Sequence, residues 1–427
     1  PALPAFGPPS LDASRAQALE SLCQLGLPSQ RDEDWKYTST RAITRAAFTP
    51  AVAGAPCPGE FVSQTTIDGL DAWRLVFADG FWQPELSLLD DLPKGVQISG
   101  LGQSLGSEPQ RIAALLGSAL GQTPHGFIAM NSAFIGDGAL IEIAPDTRVD
   151  KPIELLFISG CSGEGFLSLP RNLVVMGAGS QATVIERHVS LADERLLSNS
   201  VSELILADNA SLNYQSVQQV APRGFHVGGM FARLGRSARL QATTVTMSGA
   251  LVRNDALVNL DDEGGFASLD GLYLAFGRSH VDNHTHITHN APHCVSREHY
   301  KGVLGDRGHA VFHGRIVVQP GAQKTDSVQN NQNLLLSADA EIDTKPQLEI
   351  YADDVKCAHG ATVGQLDETA VFYLMSRGID RQAARRMLTQ AFAADVLNRI
   401  ELPALRSYLE AQAVQRLSPE QVRESES

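Results

Sequence analysis

Cys357 and His359 stand two positions apart in the segment DDVKCAHGATVG, residues 353–364, with Gly360 beside them. On an extended backbone, residues i and i+2 share a face. A thiol and an imidazole would then project together. Both are ligands for iron, zinc or copper, and each binds only in its deprotonated form. Two side chains fall short of the roughly four ligands that a structural zinc ion or an iron–sulfur cluster takes. The pair is therefore half of a site completed by another chain, or it is packing. The residues by themselves leave both readings open.

A second group is SHVDNHTHITHNAPHC, residues 279–294. As a strand it places His280, Asp282, His284 and His286 on one face and His289 on the other. Alternating histidines can chelate a metal, which makes His284 and His286 candidate ligands. It also frames an alternative function, a metal-dependent enzyme using His280, His284 and His286. No acid beyond Asp282 stands ready as a base. The simpler expectation is imidazoles bonded to backbone in neighbouring strands.

Other signals carry less. LVVMGAGSQATVIE, residues 173–186, offers Gly177, Gly179, Ala182 and Glu186 in the manner of a dinucleotide fingerprint. The stretch after the glycines is β-branched rather than helical, and the acid comes too early. A turn between strands is the better reading. No phosphate-loop motif occurs, and GAQKT at 321–325 lacks its spacing, so the chain is expected to bind no nucleotide. Aromatic residues make up 6% of the chain, with no Trp or Tyr recurring in step. A sugar-binding face is not supported.

The elements that must position these groups fall in three zones. To about Asp150, helix mixes with loop. LDASRAQALESLCQLGLPS has Asp12 as a capping candidate and Gly26 and Pro28 as a stop. The middle zone is short apolar stretches broken by Gly, Asp and Asn. Ala182, Ala210, Ala238 and Ala267 align at intervals of 28, 28 and 29 residues (210−182, 238−210, 267−238). Strands and turns at a fixed period of this size indicate a solenoid, and the absence of intervening helices favours a parallel β-helix over a doubly wound sheet. Its open ends would invite pairing with a like protein, so a homodimer of the isolated chain is compatible. The last zone is helical. Asp367 and Asp380 are N-cap candidates, and Pro403 starts a third helix. Met387, Leu388, Ala391, Phe392 and Val396 form an apolar stripe, read as packing within a cap over the solenoid's C-terminal end. The expected division is a mainly helical region at 1–125, a mainly β core at 126–366 and C-terminal helices at 367–427.

The 427 residues are 43% hydrophobic and carry a formal net charge of −14. So acidic a surface repels phosphate backbones, so nucleic acid is not an expected partner. Five cysteines, with no C-x-x-C pair, read as reduced thiols in a cytoplasmic protein. No apolar run is long enough for a bilayer, and PALPAFGPPS does not read as a secretory signal.

Several stretches together resemble the SufD scaffold subunits of the SUF iron–sulfur cluster assembly system. EDWKYTS at 33–39, MNSAF at 130–134 and VDNHTHITHNAPHCVSREHYKGVL at 281–304 resemble family elements. FHGRIVV, QKTDSVQNNQNLLLS, TKPQLEIYADDVKCAHGATVG and FYLMSRGI come next in the family's order. The sister subunit SufB shares the core but has a Glu-containing element in place of HGATVG, so His359 to Thr362 point to the SufD branch. The resemblance implies a right-handed parallel β-helix between N-terminal and C-terminal helical domains, and a scaffold rather than an enzyme. It implies a SufB-like partner pairing through the end of the β-helix and a SufC-like ATPase docking on the helices after about Asp367. A nascent iron–sulfur cluster would form at the SufB junction, with the family's histidine matching His359 and the neighbouring cysteine matching Cys357. No cluster role is carried onto the histidine-rich stretch.

Overall fold

Short β-branched strands separated by tight turns stack in register, and in the computed structural model of the chain they build two long sheets. The structure describes residues 11–54, 57–121, 125–163, 165–191 and 193–417. The reading of residues 1–10 and the last ten residues of the expected C-terminal region lie outside these.

In chain order the principal strands are β1 (Trp73–Ala78), β2 (Val96–Gly100), β3 (Ala139–Ile143), β4 (Ile153–Ser159), β5 (Arg171–Met176) and β6 (Gln181–Ser190). Next come β7 (Val201–Leu206), β8 (Ser211–Gln219), β9 (Phe225–Leu234), β10 (Arg239–Ser248), β11 (Leu251–Leu260) and β12 (Phe266–Ala275). The last six are β13 (His280–His289), β14 (Val295–Leu304), β15 (His309–Val318), β16 (Asp326–Leu335), β17 (Glu341–Ile350) and β18 (Lys356–Gly364). One sheet runs β17-β15-β13-β11-β9-β7-β5-β3-β2, the other β18-β16-β14-β12-β10-β8-β6-β4-β1. From β3 onward successive strands alternate between sheets, and the chain winds as a parallel β-helix. The core lies between the sheets, in columns such as Leu206, Leu234 and Leu260. β1 and β2 extend these sheets, so the region expected to be mainly helical also contributes strands to the solenoid.

The register corrects the alanine alignment. Ala182 pairs with Leu212, Leu212 with Leu240, and Leu240 with Ala267. The offsets are therefore 30, 28 and 27 (212−182, 240−212, 267−240). Only the interval from Ala210 to Ala238 was true. What recurs in register is backbone shape. Gly179, Asn209, Ser237, Gly264, His293 and Lys324 all have positive φ, between 54° and 74°. Each stands two residues before a strand of the second sheet. Turns vary by a residue or two between them, which a fixed-interval search blurs. His293 is thereby a turn residue.

Five longer helices complete the chain: α1 (Asp12–Leu25), α2 (Gly126–Ala133), α3 (Glu368–Ser376), α4 (Arg381–Leu397) and α5 (Pro403–Arg416). Leu11, not Asp12, occupies the N-cap of α1, with no side-chain cap. Asp367 and Asp380 do cap α3 and α4, accepting from the amides of Thr369 and Ala383, contacts worth about 1 kcal/mol each.

The C-terminal helices are not a cap on the end. Val396, Leu397, Leu405 and Leu409 pack against Val217, Val245, Leu272 and Val303, on the outer flank of the second sheet. His299 and Lys301 reach Asp395 at 2.8 and 2.9 Å, and Arg399 reaches Asp270 at 3.1 Å. The chain leaves β18 at the end of the solenoid and doubles back, because the apolar strip on that flank needs cover. The buried face of α4 is Ala384, Thr389, Ala393, Val396 and Leu397. Met387 and Ala391 of the expected stripe are exposed.

Candidate functional site

β17 and β18 form the last turn, and each is paired on one side only. Among the described residues, the backbone groups of their outer edges have no strand partner. Cys357 aligns with Ser327, and His359 with Gln329. Ser327 and Gln329 are fully buried between the sheets, so Cys357 and His359 continue an inward-facing column at the open end of the solenoid. Cys357 is half-buried and packs against the core. Burial, with Asp326 nearby, pushes its thiol above the usual range. His359 is exposed. One turn deeper, Gln329 donates to Glu298, whose carboxyl burial raises to about 7. Ile350, Tyr351 and Val363 leave apolar surface on this last turn, at 41%, 60% and 49% exposure.

The histidine strand is β13. His280, His284 and His286 face outward on the first sheet, and His289 faces inward, fully buried, bonded to Ser296 at 2.9 Å. The imidazoles of His280, His284 and His289 meet side chains rather than backbone. Thr38 accepts from His280 at 2.7 Å and donates to Asp282 at 2.5 Å. His284 Nε2 lies 3.0 Å from Asp282 Oδ1 and accepts from Arg253 at 3.2 Å. Asp282 also accepts from Arg253 at 2.8 Å, and Asp255 accepts from Arg253 at 2.9 Å and from His125 at 2.9 Å. Arg253 and His284 hold Asp282 well below the usual carboxylate range despite burial, and Arg253 and His125 do the same for Asp255. Burial drives His280 down to about 4 and lowers His286 and His313.

Three acids that the histidine motif did not reveal, Asp34, Asp255 and Asp343, border this face. So do His309 and His313, which align with His280 and His284 across β15. The signal was present: both pairs are 29 residues apart (309−280, 313−284).

EDWKYTS docks on the same face. Trp35 is buried, stacks on Phe127 with centroids 5.5 Å apart and covers the Arg253 guanidinium. In MNSAF, Asn131 is buried and donates to the carbonyls of Pro170 and Asn199 at 3.0 and 2.8 Å, tying α2 to two turns of the solenoid.

With this geometry in view, comparison with known proteins is decisive. Residues 158–392 match the family model described as "SUF system FeS cluster assembly, SufBD core domain". Residues 5–155 match the SufBD protein N-terminal region. The chain belongs to the SufBD family. It is 34% identical to the iron-sulfur cluster assembly protein SufD of Escherichia coli, over 94% of this chain and 92% of that one. It is 31% identical to an iron-sulfur cluster assembly SufBD family protein of Synechocystis, over 92% and 88%. A more distant match is the SufD of Bacillus subtilis, 26% identical over 67% and 65%.

Across the SufBD core match, the two constellations sit on different surfaces. Cys357 and His359 lie on β18 of the second sheet, at the end of the solenoid; the histidine ladder lies on the outer flank of the first sheet. No bond or ion pair between them occurs among the described residues. The C-terminal helices are on the flank of the second sheet, and α3 stands clear of it. Only Val371 of α3 is buried, while Phe372, Tyr373 and Met375 are 70%, 56% and 38% exposed. No helix among the described residues is long and apolar enough to cross a membrane.

Proposed function

We propose that the chain is a scaffold subunit for iron–sulfur cluster assembly, and that it works as one half of a composite site rather than as an enzyme in its own right. The observation that carries this reading is the open last turn, where Cys357 and His359 face along the bore from a strand paired on one side only. A second SufBD solenoid has the same kind of strand to offer, and parallel or antiparallel pairing of two such edges would satisfy both sets of amides. Residues i and i+2 on a strand are about 7 Å apart. That is wide for one ion and suits a multinuclear cluster lying between two subunits.

In this reading a SufB-like partner brings the remaining ligands, and the nascent cluster is cargo rather than a resident cofactor. His359 ligates as a neutral imidazole. Cys357 needs the partner's metal to draw off its proton, because burial opposes ionisation. A SufC-like ATPase docks on the exposed apolar side of α3, at Phe372, Tyr373 and Met375. The chain binds no nucleotide itself. A homodimer through the same edge forms when the partner is absent.

Anaerobic cluster assembly on the chain co-expressed with such partners tests this. His359→Ala should remove the visible absorption of the cluster while the complex stays intact. An unchanged spectrum would leave the chain as a docking scaffold whose partner supplies every ligand.

A further inference from the structure

We propose that His284, His313 and Asp34 form a site for one divalent first-row cation, separate from Cys357 and His359. The ligand atoms of the three residues all lie within 4.8 Å of one another. His284 and His313 are register partners on β13 and β15, their rings edge to face with centroids 4.8 Å apart. Asp34 arrives from the short turn at Glu33–Trp35, and its Oδ1 is 3.8 Å from His313 Nδ1.

The far nitrogens of both rings are committed. His284 Nε2 is 3.0 Å from Asp282 Oδ1, and His313 Nε2 is 2.6 Å from Gln347 Oε1. Gln347 Oε1 cannot donate, so His313 Nε2 carries the proton and its Nδ1 keeps its lone pair. His284 Nε2 accepts from Arg253 at 3.2 Å, so a cation binding at His284 Nδ1 displaces the proton there. This outer-shell support is what fixes the tautomer and aim of a metal-bound histidine. Two imidazoles and one carboxylate suit zinc, cobalt or ferrous iron.

Charge permits it. Arg253 lies 3.2 Å from His284 Nε2, but Asp255 and Asp282 both neutralise it. Lys345 is paired with Glu33, and Arg315 with Glu349. Among the described residues Asp34 forms no short ion pair, and it is 69% exposed. A cleft of about 260 Å³, bordered by all three residues, leaves room for water to complete the coordination.

The site differs from the one the sequence suggested. His286 lies in the same cleft but stands two residues along the strand from His284, about 7 Å away. The cross-strand neighbour His313 is closer.

Cobalt(II) is the probe, titrated anaerobically into the full chain and followed by its visible d–d absorption. The wild type should take up one equivalent. Asp34→Asn, at an exposed position that leaves the fold alone, should weaken uptake at least tenfold. His313→Gln should abolish it, with an unchanged circular dichroism spectrum. The Cys357→Ser/His359→Ala double variant should bind as the wild type does. The proposal is overturned if the wild type shows no saturable uptake, if Asp34→Asn binds as tightly, or if the Cys357/His359 double variant loses the signal.

Discussion

Arg253 lies over the ring of Trp35, its guanidinium carbon 3.9 Å from the ring centroid. The same guanidinium donates to the Asp34 carbonyl at 2.7 Å and to Asp282 and Asp255. One side chain thus holds the N-terminal segment, β11 and β13 together. Cation–π contacts reach about 2 kcal/mol when desolvated, but the larger effect is that three buried charges depend on each other.

Arg253→Met should therefore cost about 3–5 kcal/mol, because it leaves Asp255 and Asp282 buried without their cation. Trp35→Ala should cost a similar about 3–5 kcal/mol through the cavity it opens. Urea unfolding reads both. The Arg253 variant should also become sensitive to proteolysis around residues 33–39. A loss under about 1 kcal/mol for Arg253→Met would mean that the N-terminal segment is anchored elsewhere.

Glu298 gives the stability of the fold a pH dependence. Burial lifts its carboxyl from about 4.5 to about 7, so between those values the folded chain holds a proton that the unfolded chain has released. The resulting stability is complete below about pH 4.5 and is lost as pH rises towards 7. Glu298→Gln keeps a group that can accept from Gln329 and removes the ionisation. It should flatten the stability curve across that window and exceed the wild type at pH 8 by about 3 kcal/mol. Parallel curves for the two proteins would refute this.

The solenoid was legible because its strands are short, β-branched and punctuated, and no helix intervenes. Its register was not, because alanines mark tight packing wherever it occurs, whereas left-handed turn residues mark the repeat. Asn209, Ser237, His293 and Lys324 share a backbone conformation and no side-chain chemistry, so sequence comparison within the chain passes over them. The alternation of His280, Asp282, His284 and His286 was readable from the strand period alone. Their partners were not. Arg253, His313 and Asp34 come from three other elements, and only the 29-residue offset between β13 and β15 hinted at one of them. The position of the C-terminal helices was hidden for a related reason. An amphipathic helix declares that one face is buried, never against which surface.

The five thiols should react unequally. Cys23 is exposed. Burial pushes Cys57, Cys161, Cys294 and Cys357 above the usual thiol range, and the thiolate is the reactive form. With a maleimide at pH 7.5 the native chain should show one fast thiol, identified by mass spectrometry as Cys23. The other four should label slowly and speed up on denaturation. Fast labelling of Cys357 in the isolated chain would mean that the last turn opens to solvent more than its packing against the core allows.

The edge of β18 offers the sharpest test of how the chain associates. Val363 is 49% exposed, near the far end of a strand with one neighbour. A lysine on such an edge hinders pairing while its own strand stays intact, because its charge must be desolvated by any incoming strand. Val363→Lys should change the chain's own stability by no more than about 0.5 kcal/mol. It should nevertheless abolish co-purification with a second SufBD solenoid, and shift any homodimer to monomer in light scattering. Phe372→Glu on α3 should leave that pairing intact and remove only the ATPase. If Val363→Lys still pairs normally, the two solenoids do not meet at this edge, and Cys357 and His359 face something other than a partner's ligands.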